Sequence, residues 1–130
     1  MTAILVVDVG TSGLRACVVN ESLEVEVVEY RAFPPLTPTP GLVEFDAAAM
    51  ADHFLGVARN AADKAGRPID CVGITNQRAS VVVWDRSTGA PVAPGIGWQD
   101  LRTVGECIVA KAEHGWSLAP NQSVTKVAWI

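Results

Sequence analysis

No stretch of the chain has the apolar length of a signal or membrane segment; Ile4-Leu5-Val6-Val7 is interrupted by Asp8. Basic residues are few and scattered, ten against fourteen acidic, and a net charge of -4 without a Lys/Arg cluster argues against a nucleic-acid surface. Cysteine is scarce as well. Cys17, Cys71 and Cys107 are odd in number, widely spaced and contain no Cys-x-x-Cys pair, which argues against a disulfide framework or a zinc site. They are expected to be reduced, core-filling thiols of a cytoplasmic protein. His53 and His114 stand far apart without partners at metal-ligand spacing and are expected at the surface or at helix ends. Neither Gly-x-x-x-x-Gly-Lys-Ser/Thr nor Gly-x-Gly-x-x-Gly occurs, so the usual strand-to-helix phosphate sites are excluded. There is no internal repeat and no low-complexity tract.

What is present is one domain's worth of chain, 130 residues at 49% hydrophobic and 18% charged, ample for a packed core. Its organising stretch runs from Ile4 to Ala16. An apolar strand ends in Asp8, passes through Gly10-Thr11-Ser12-Gly13 and re-enters an apolar strand at Leu14, which predicts a β-hairpin with a polar tip. One reading of the tip is a phosphate nest. Gly10 and Gly13 would turn backbone N–H groups toward one point, Thr11 and Ser12 would add hydroxyls, Asp8 would face a hydrated Mg²⁺, and Arg15 would oppose phosphate charge. The other reading is an ordinary hairpin turn with Asp8 as a turn-side hydrogen-bonding group. Local sequence leaves both open.

Taken in order, Leu14 to Val19 is expected to form a second strand and Leu23 to Tyr30 a third with one wet face, from the alternation of Glu24 and Glu26 with Val25 and Val27. Pro34, Pro35, Pro38 and Pro40 favour an extended surface crossing. Asp46 should cap a helix whose apolar face is Met50, Phe54, Val57, Ala61 and Ala65, stopped by Gly66 and Pro68. Asp70 to Asn76 and Ala79 to Asp85 read as strands, with Arg86 to Gly89 a turn. Asp100 should cap a second helix with an apolar face of Leu101, Val104, Ile108 and Ala112, and Ser123 a third over Val124 to Ile130. That last helix carries Trp129-Ile130 without a stop signal, which leads us to expect a piece of a longer protein or a covering partner, and suits self-association into a homo-oligomer. The pattern alone supports an α/β or α+β sandwich.

The segment Asp8-Val9-Gly10-Thr11-Ser12-Gly13-Leu14-Arg15 resembles the first phosphate loop of the actin-like ATPase superfamily, specifically of the FGGY carbohydrate kinases. Further segments resemble the glycerol kinase branch in the same order: Gly41 to Asp46, Val72 to Arg78, Val81 to Asp85, Thr88 to Pro91, Gly97 to Thr103 and Ser123 to Ile130. The resemblance covers nearly the whole chain. It implies an α/β, ribonuclease-H-like mixed sheet with flanking helices, incomplete. Residues 1–130 would be the N-terminal part of the family's N-terminal domain, and the C-terminal nucleotide-binding domain would be absent.

By the same resemblance the cofactors are ATP and Mg²⁺. Asp8, Gly10, Thr11, Ser12, Gly13 and Arg15 would hold the nucleotide phosphates, with Asp8 on the metal side. Gln77, Arg78 and Trp98 would meet a small polyol or sugar substrate, and no membrane or nucleic-acid partner is implied. Taken without the resemblance, Arg78 reads as a surface arginine, Gln77 as a buried amide bonded to backbone, and Trp98 as a core residue. The family's catalytic aspartate lies beyond Ile130, so no catalytic residue is expected here and the isolated chain is expected to be inactive. Two departures matter. Ala79 stands where glycerol kinases carry glutamate and Asn121 where they carry tyrosine, and xylulokinases have Met-His where this chain has Arg78-Ala79. These differences leave the acceptor no narrower than polyol or sugar. They also suit an alternative, a non-catalytic remnant that binds nucleotide weakly or packs on another subunit. A different branch of actin-like ATPase is disfavoured by Gln77-Arg78 and Trp98-Gln99-Asp100.

Overall fold

The computed structural model describes residues 2–130 and divides them into two compact units. One takes the chain up to Pro34 together with Ala49–Gln77; the other takes Pro35–Ala48 with Arg78–Ile130.

The first unit is built on a four-stranded mixed sheet. Strands β1 (Ala3–Val9), β2 (Gly13–Asn20) and β3 (Val25–Ala32) run antiparallel in succession, and β5 (Cys71–Asn76) lies parallel to β1, giving the order β3-β2-β1-β5. This fits the ribonuclease-H-like mixed sheet that the family resemblance implies. The return to β5 is made through α1 (Ala47–Ala65), as a parallel pair requires a crossover. Alternation along β1 and β2 buries Ala3, Leu5, Val7, Leu14, Ala16 and Val18 on one face, and α1 lays Val57 and Ala61 on them, with Met50, Phe54 and Ala65 alongside. Each fully buried side chain of the size of Leu14 contributes about 1.5–3 kcal/mol from burial alone. Gly66, at φ +63°, ends α1 in a left-handed turn, its N–H bonding the Asp63 carbonyl at 3.1 Å.

Strand β3 starts two residues later than expected. Asn20 Oδ1 accepts from the Ser22 and Glu24 amides (2.9 and 3.0 Å), and Leu23 sits at φ 64° with its side chain in solvent, so the turn consumes the predicted strand start. As an edge strand, β3 exposes Val25 and Val28. Two ion pairs tie it down, one from Lys64 in the last turn of α1 to Glu29 and one from Arg67, just past the helix end, to Glu26. Of the expected core thiols only Cys107 is buried; Cys17 is half-buried and Cys71 is exposed on β5.

The second unit holds a two-stranded antiparallel ribbon, β4 (Glu44–Phe45) with β6 (Gly95–Ile96), and helices α2 (Val104–His114) and α3 (Ser123–Trp129). Four expectations fail in it. Ala79 to Asp85 forms no strand: it makes only the single-residue bridges Val81↔Ile96 and Trp84↔Pro91 before Asp85 collects the Ser87 and Thr88 amides into a turn. Asp100 does not cap α2, which begins after Thr103, because its carboxylate is taken by Arg102 and the Val43 amide. The face expected to be buried is instead exposed at Leu101, Val104 and Ile108, while Thr103 and Cys107 point inward. Ser123 is the first residue of α3, and Gln122 occupies the cap.

Candidate phosphate hairpin and acceptor segment

In the first unit, β1 delivers Asp8 to the end of a buried strand, opposite Arg15 on β2 and Thr75 on β5. The Asp8 carboxylate is half-buried and, among the described residues, meets neither a donor nor a cation. Directly opposite residues of an antiparallel pair share a face. Even so, the Arg15 guanidinium lies over the Tyr30 ring, 5.8 Å from its centroid, instead of on Asp8.

The tip between them is closed by its own backbone. Gly10 donates to the Gly13 carbonyl at 3.0 Å, Phe33 donates to the Ser12 carbonyl at 2.9 Å, and Gln77 Nε2 donates to the Gly10 carbonyl at 2.9 Å. Three carbonyls that would repel an anion are thus occupied by protein donors. The glycines are needed for a different reason from the one expected. Neither Gly10 nor Gly13 has a left-handed φ. A Cβ on Gly13 would lie 2.7 Å from the Arg31 carbonyl, and one on Gly10 would lie 3.0 Å from the Gly13 carbonyl. Close backbone approach, not handedness, excludes side chains there.

Gln77 therefore braces the hairpin with its amide, the backbone-bonded role that a local reading of the sequence allows. Arg78 is exposed, and its guanidinium has no partner among the described residues. Trp98 is 40% exposed, and its backbone N–H donates to the Ser80 hydroxyl at 3.0 Å. Gln77 and the phosphate hairpin belong to the first unit, Arg78 and Trp98 to the second.

The second unit also has a polar interior. Arg102 grips Asp100 with Nε and Nη2, both at 2.8 Å, reaches Glu44 at 2.7 Å, and stacks over Trp129 with 4.6 Å to the ring centroid. Asp100 is 1% exposed. Burial opposes its ionisation, but the Arg102 guanidinium and the Val43 and Arg102 amides outweigh burial and hold it below the ordinary carboxylate value. The same hydrogen bonds, donated by Arg102 to the Asp100 carboxylate, raise the pKa of Arg102. Lys126 is wholly buried and donates to the Ala79 carbonyl at 2.7 Å. Burial lowers its pKa, with Asp100 opposing that shift and Arg102 adding to it. Thr103 and Thr125 share a buried hydroxyl pair at 2.9 Å.

Sequence reasoning did not single out Arg102 or Lys126. The one signal for Lys126 is a lone cation inside the apolar run Val124 to Ile130. Among the described residues no group of three or more His, Cys, Asp or Glu side chains is arranged as a metal cage, and no helix is long and apolar enough to cross a membrane.

The model of the FGGY family of carbohydrate kinases, N-terminal domain, matches residues 3–130. A glycerol kinase of Trichlorobacter lovleyi is 41% identical over 142 aligned positions, spanning 100% of this chain and 29% of its own length. That of Janthinobacterium sp. is 38% identical over 98% of this chain and 28% of its own. The chain thus spans less than a third of the curated relatives it matches. Among solved structures, Plasmodium falciparum glycerol kinase with ADP superposes with a TM-score of 0.91 at 26% identity, over 99% of this chain and 28% of that one. The xylulose kinase of Rhodospirillum rubrum shares the fold at a TM-score of 0.84 and 24% identity, over 98% of this chain and 29% of that one. A match over 3–130, with relatives aligned across the whole chain, makes this protein a member of the FGGY family of carbohydrate kinases, in the region of the family's N-terminal domain.

Proposed function

We propose that this chain is the N-terminal part of an ATP-dependent kinase that transfers the γ-phosphate to a hydroxyl of a small polyol or sugar. The observation that carries the reading is the half-buried, unpartnered Asp8 carboxylate at the end of β1, beside a hairpin whose carbonyls at residues 10, 12 and 13 are already bonded. A desolvated carboxylate is costly unless it meets a cation. A single carboxylate without a protein cage suits Mg²⁺, which keeps most of its waters and is otherwise held by substrate phosphates. Bound there, Mg²⁺ would neutralise charge on the transferring phosphoryl group.

The chain's own residues then divide the work. Between Gly10, whose own N–H is taken by the Gly13 carbonyl, and Gly13, the Thr11 and Ser12 hydroxyls and the remaining backbone amides would meet phosphate, and Arg15 swings from Tyr30 to add a positive charge. Gln77 keeps the hairpin tip in shape. Arg78 donates to acceptor hydroxyls, and Trp98 offers an aromatic wall to the carbon skeleton, the mixture a small polyhydroxy ligand requires. The residue that removes the acceptor proton, and most of the adenosine pocket, come from chain outside residues 1–130. Ala79 and Asn121 remove two hydrogen-bonding groups that glycerol kinases carry, so the acceptor is proposed as a polyol or sugar and not specifically as glycerol.

The test is an ATP-consumption screen of polyols and sugars with the full-length protein. Phosphorylation of at least one acceptor, with ADP formed in equal amount, is the expected result. ATP binding without transfer to any acceptor would favour the non-catalytic alternative, and absence of both would end the kinase reading.

A further inference from the structure

Two features of the second unit meet at one carbonyl. Ala79 has φ 61°, in the left-handed region that residues with a Cβ adopt only when their surroundings hold them there. Its carbonyl accepts a 2.7 Å bond from Lys126 Nζ, and Lys126 has no exposed surface. A buried ammonium with one protein acceptor among the described residues is expensive to keep, and a methionine of similar shape would fill the same space without that cost. The ammonium is therefore best explained by what it holds.

What it holds is the turn after Arg78. The Ala79 carbonyl lies in the Ala79–Ser80 peptide, and φ of Ala79 is the torsion that links that peptide to the preceding one; with the carbonyl anchored and φ held at 61°, the Arg78–Ala79 peptide is restricted in orientation, and with it the direction in which the Arg78 side chain leaves the backbone. Arg78 is exposed and has no partner of its own among the described residues, so nothing in its own contacts fixes its aim. We infer that Lys126 is a positioning residue that locks Ala79 in its left-handed turn and thereby presents the Arg78 guanidinium to the acceptor hydroxyls. The inference rests on the proposed kinase function and adds to it the source of Arg78's preorganisation. Where the preceding arginine must be aimed, the small side chain at 79 also has a purpose: alanine tolerates φ 61° better than a β-branched residue.

The test is steady-state kinetics of the full-length protein with the acceptor found in the screen. Lys126→Met should raise the KM for the acceptor about tenfold, in keeping with loss of one charged hydrogen bond, while the KM for ATP and kcat change less than about twofold. The effect should vanish in an Arg78→Ala background, because a residue that acts through Arg78 has nothing left to aim. A purely structural role would lower activity equally in both backgrounds and would not single out the acceptor KM; either result overturns the inference. Ala79→Val is a second probe at a half-buried turn position and disfavours the left-handed φ without touching Lys126. It should reproduce the acceptor KM effect even if Lys126→Met fails to accumulate, and an unchanged acceptor KM in Ala79→Val overturns the inference. Loss of phosphoryl transfer by the unmodified protein would instead end the kinase reading, and this inference with it.

Discussion

The two units are held together by different physics. In the first, the interior is a run of aliphatic side chains from β1, β2 and α1, and its ion pairs, Lys64 with Glu29 and Arg67 with Glu26, lie on the edge strand β3. In the second, the buried residues include Asp100, Thr103, Thr125 and Lys126 beside Phe45, Val81, Ile96 and Cys107. Aliphatic burial is additive and forgiving of small shifts, whereas a buried ionic network is costly unless every member is satisfied. The first unit suits a rigid platform, as the phosphate role proposed for its hairpin requires. The second suits directional contacts, in which each polar group fixes the orientation of the next.

That contrast can be broken at several points. The largest effect is expected from Asp8→Ala in the full-length protein: turnover should fall by about a thousandfold or more while the urea midpoint stays in place, since in the proposed mechanism the carboxylate serves charge stabilisation and not packing. Unchanged turnover would remove Asp8 from the mechanism. Arg102→Met should cost about 3–5 kcal/mol in urea unfolding, because Asp100 would be left buried and unpaired. Acid should act in the same direction. Asp100 has a folded pKa below its unfolded one, so its contribution is present above the ordinary carboxylate value and is lost as pH falls through the lower, folded value. Hydrogen-exchange protection of α2 should therefore drop in acid before that of β1; simultaneous loss would refute the division. Leu14→Ala should cost about 3 kcal/mol through the cavity it leaves, and that cost should be nearly independent of pH. The smallest effect is expected from Lys64→Ala, at most about 1 kcal/mol and diminished by salt, because the lysine is largely solvent-exposed. A cost several times larger would mean that the first unit also depends on ionic contacts.

The same contrast explains what could be read from the sequence. Strands β1 and β2 and helix α1 follow from apolar periodicity with Gly66 and Pro68 as a stop, because in an aliphatic core pattern and burial coincide; β5 was legible as an apolar run although Val72 and Ile74 are exposed. The second unit misleads a pattern reader. Val81-Val82-Val83-Trp84 looks like a strand, yet the turn at Asp85 lets it pair at single residues only. Asp100 before an apolar-periodic run looks like a cap, yet Arg102 two residues on captures the carboxylate. Which cation a carboxylate meets is decided by tertiary placement, and local spacing does not encode it. At the site, the hairpin was legible as a motif, but the reason for its glycines was not: the close approach of Arg31 to Gly13 exists only once β3 has paired with β2.

The bond from Gln77 to Gly10 also sets an order of events. Strands β1 to β3 pair with their sequence neighbours and can zip from short-range contacts, whereas Gln77 lies 67 residues from the carbonyl it braces. The tip can close early through its Gly10–Gly13 and Phe33–Ser12 bonds, but the Gln77 brace is added only after the chain has passed through α1 and returned along β5. A nascent chain shorter than this segment carries the hairpin without its brace, so the binding of phosphate proposed for it would become a late property of folding, reached only when the crossover is complete.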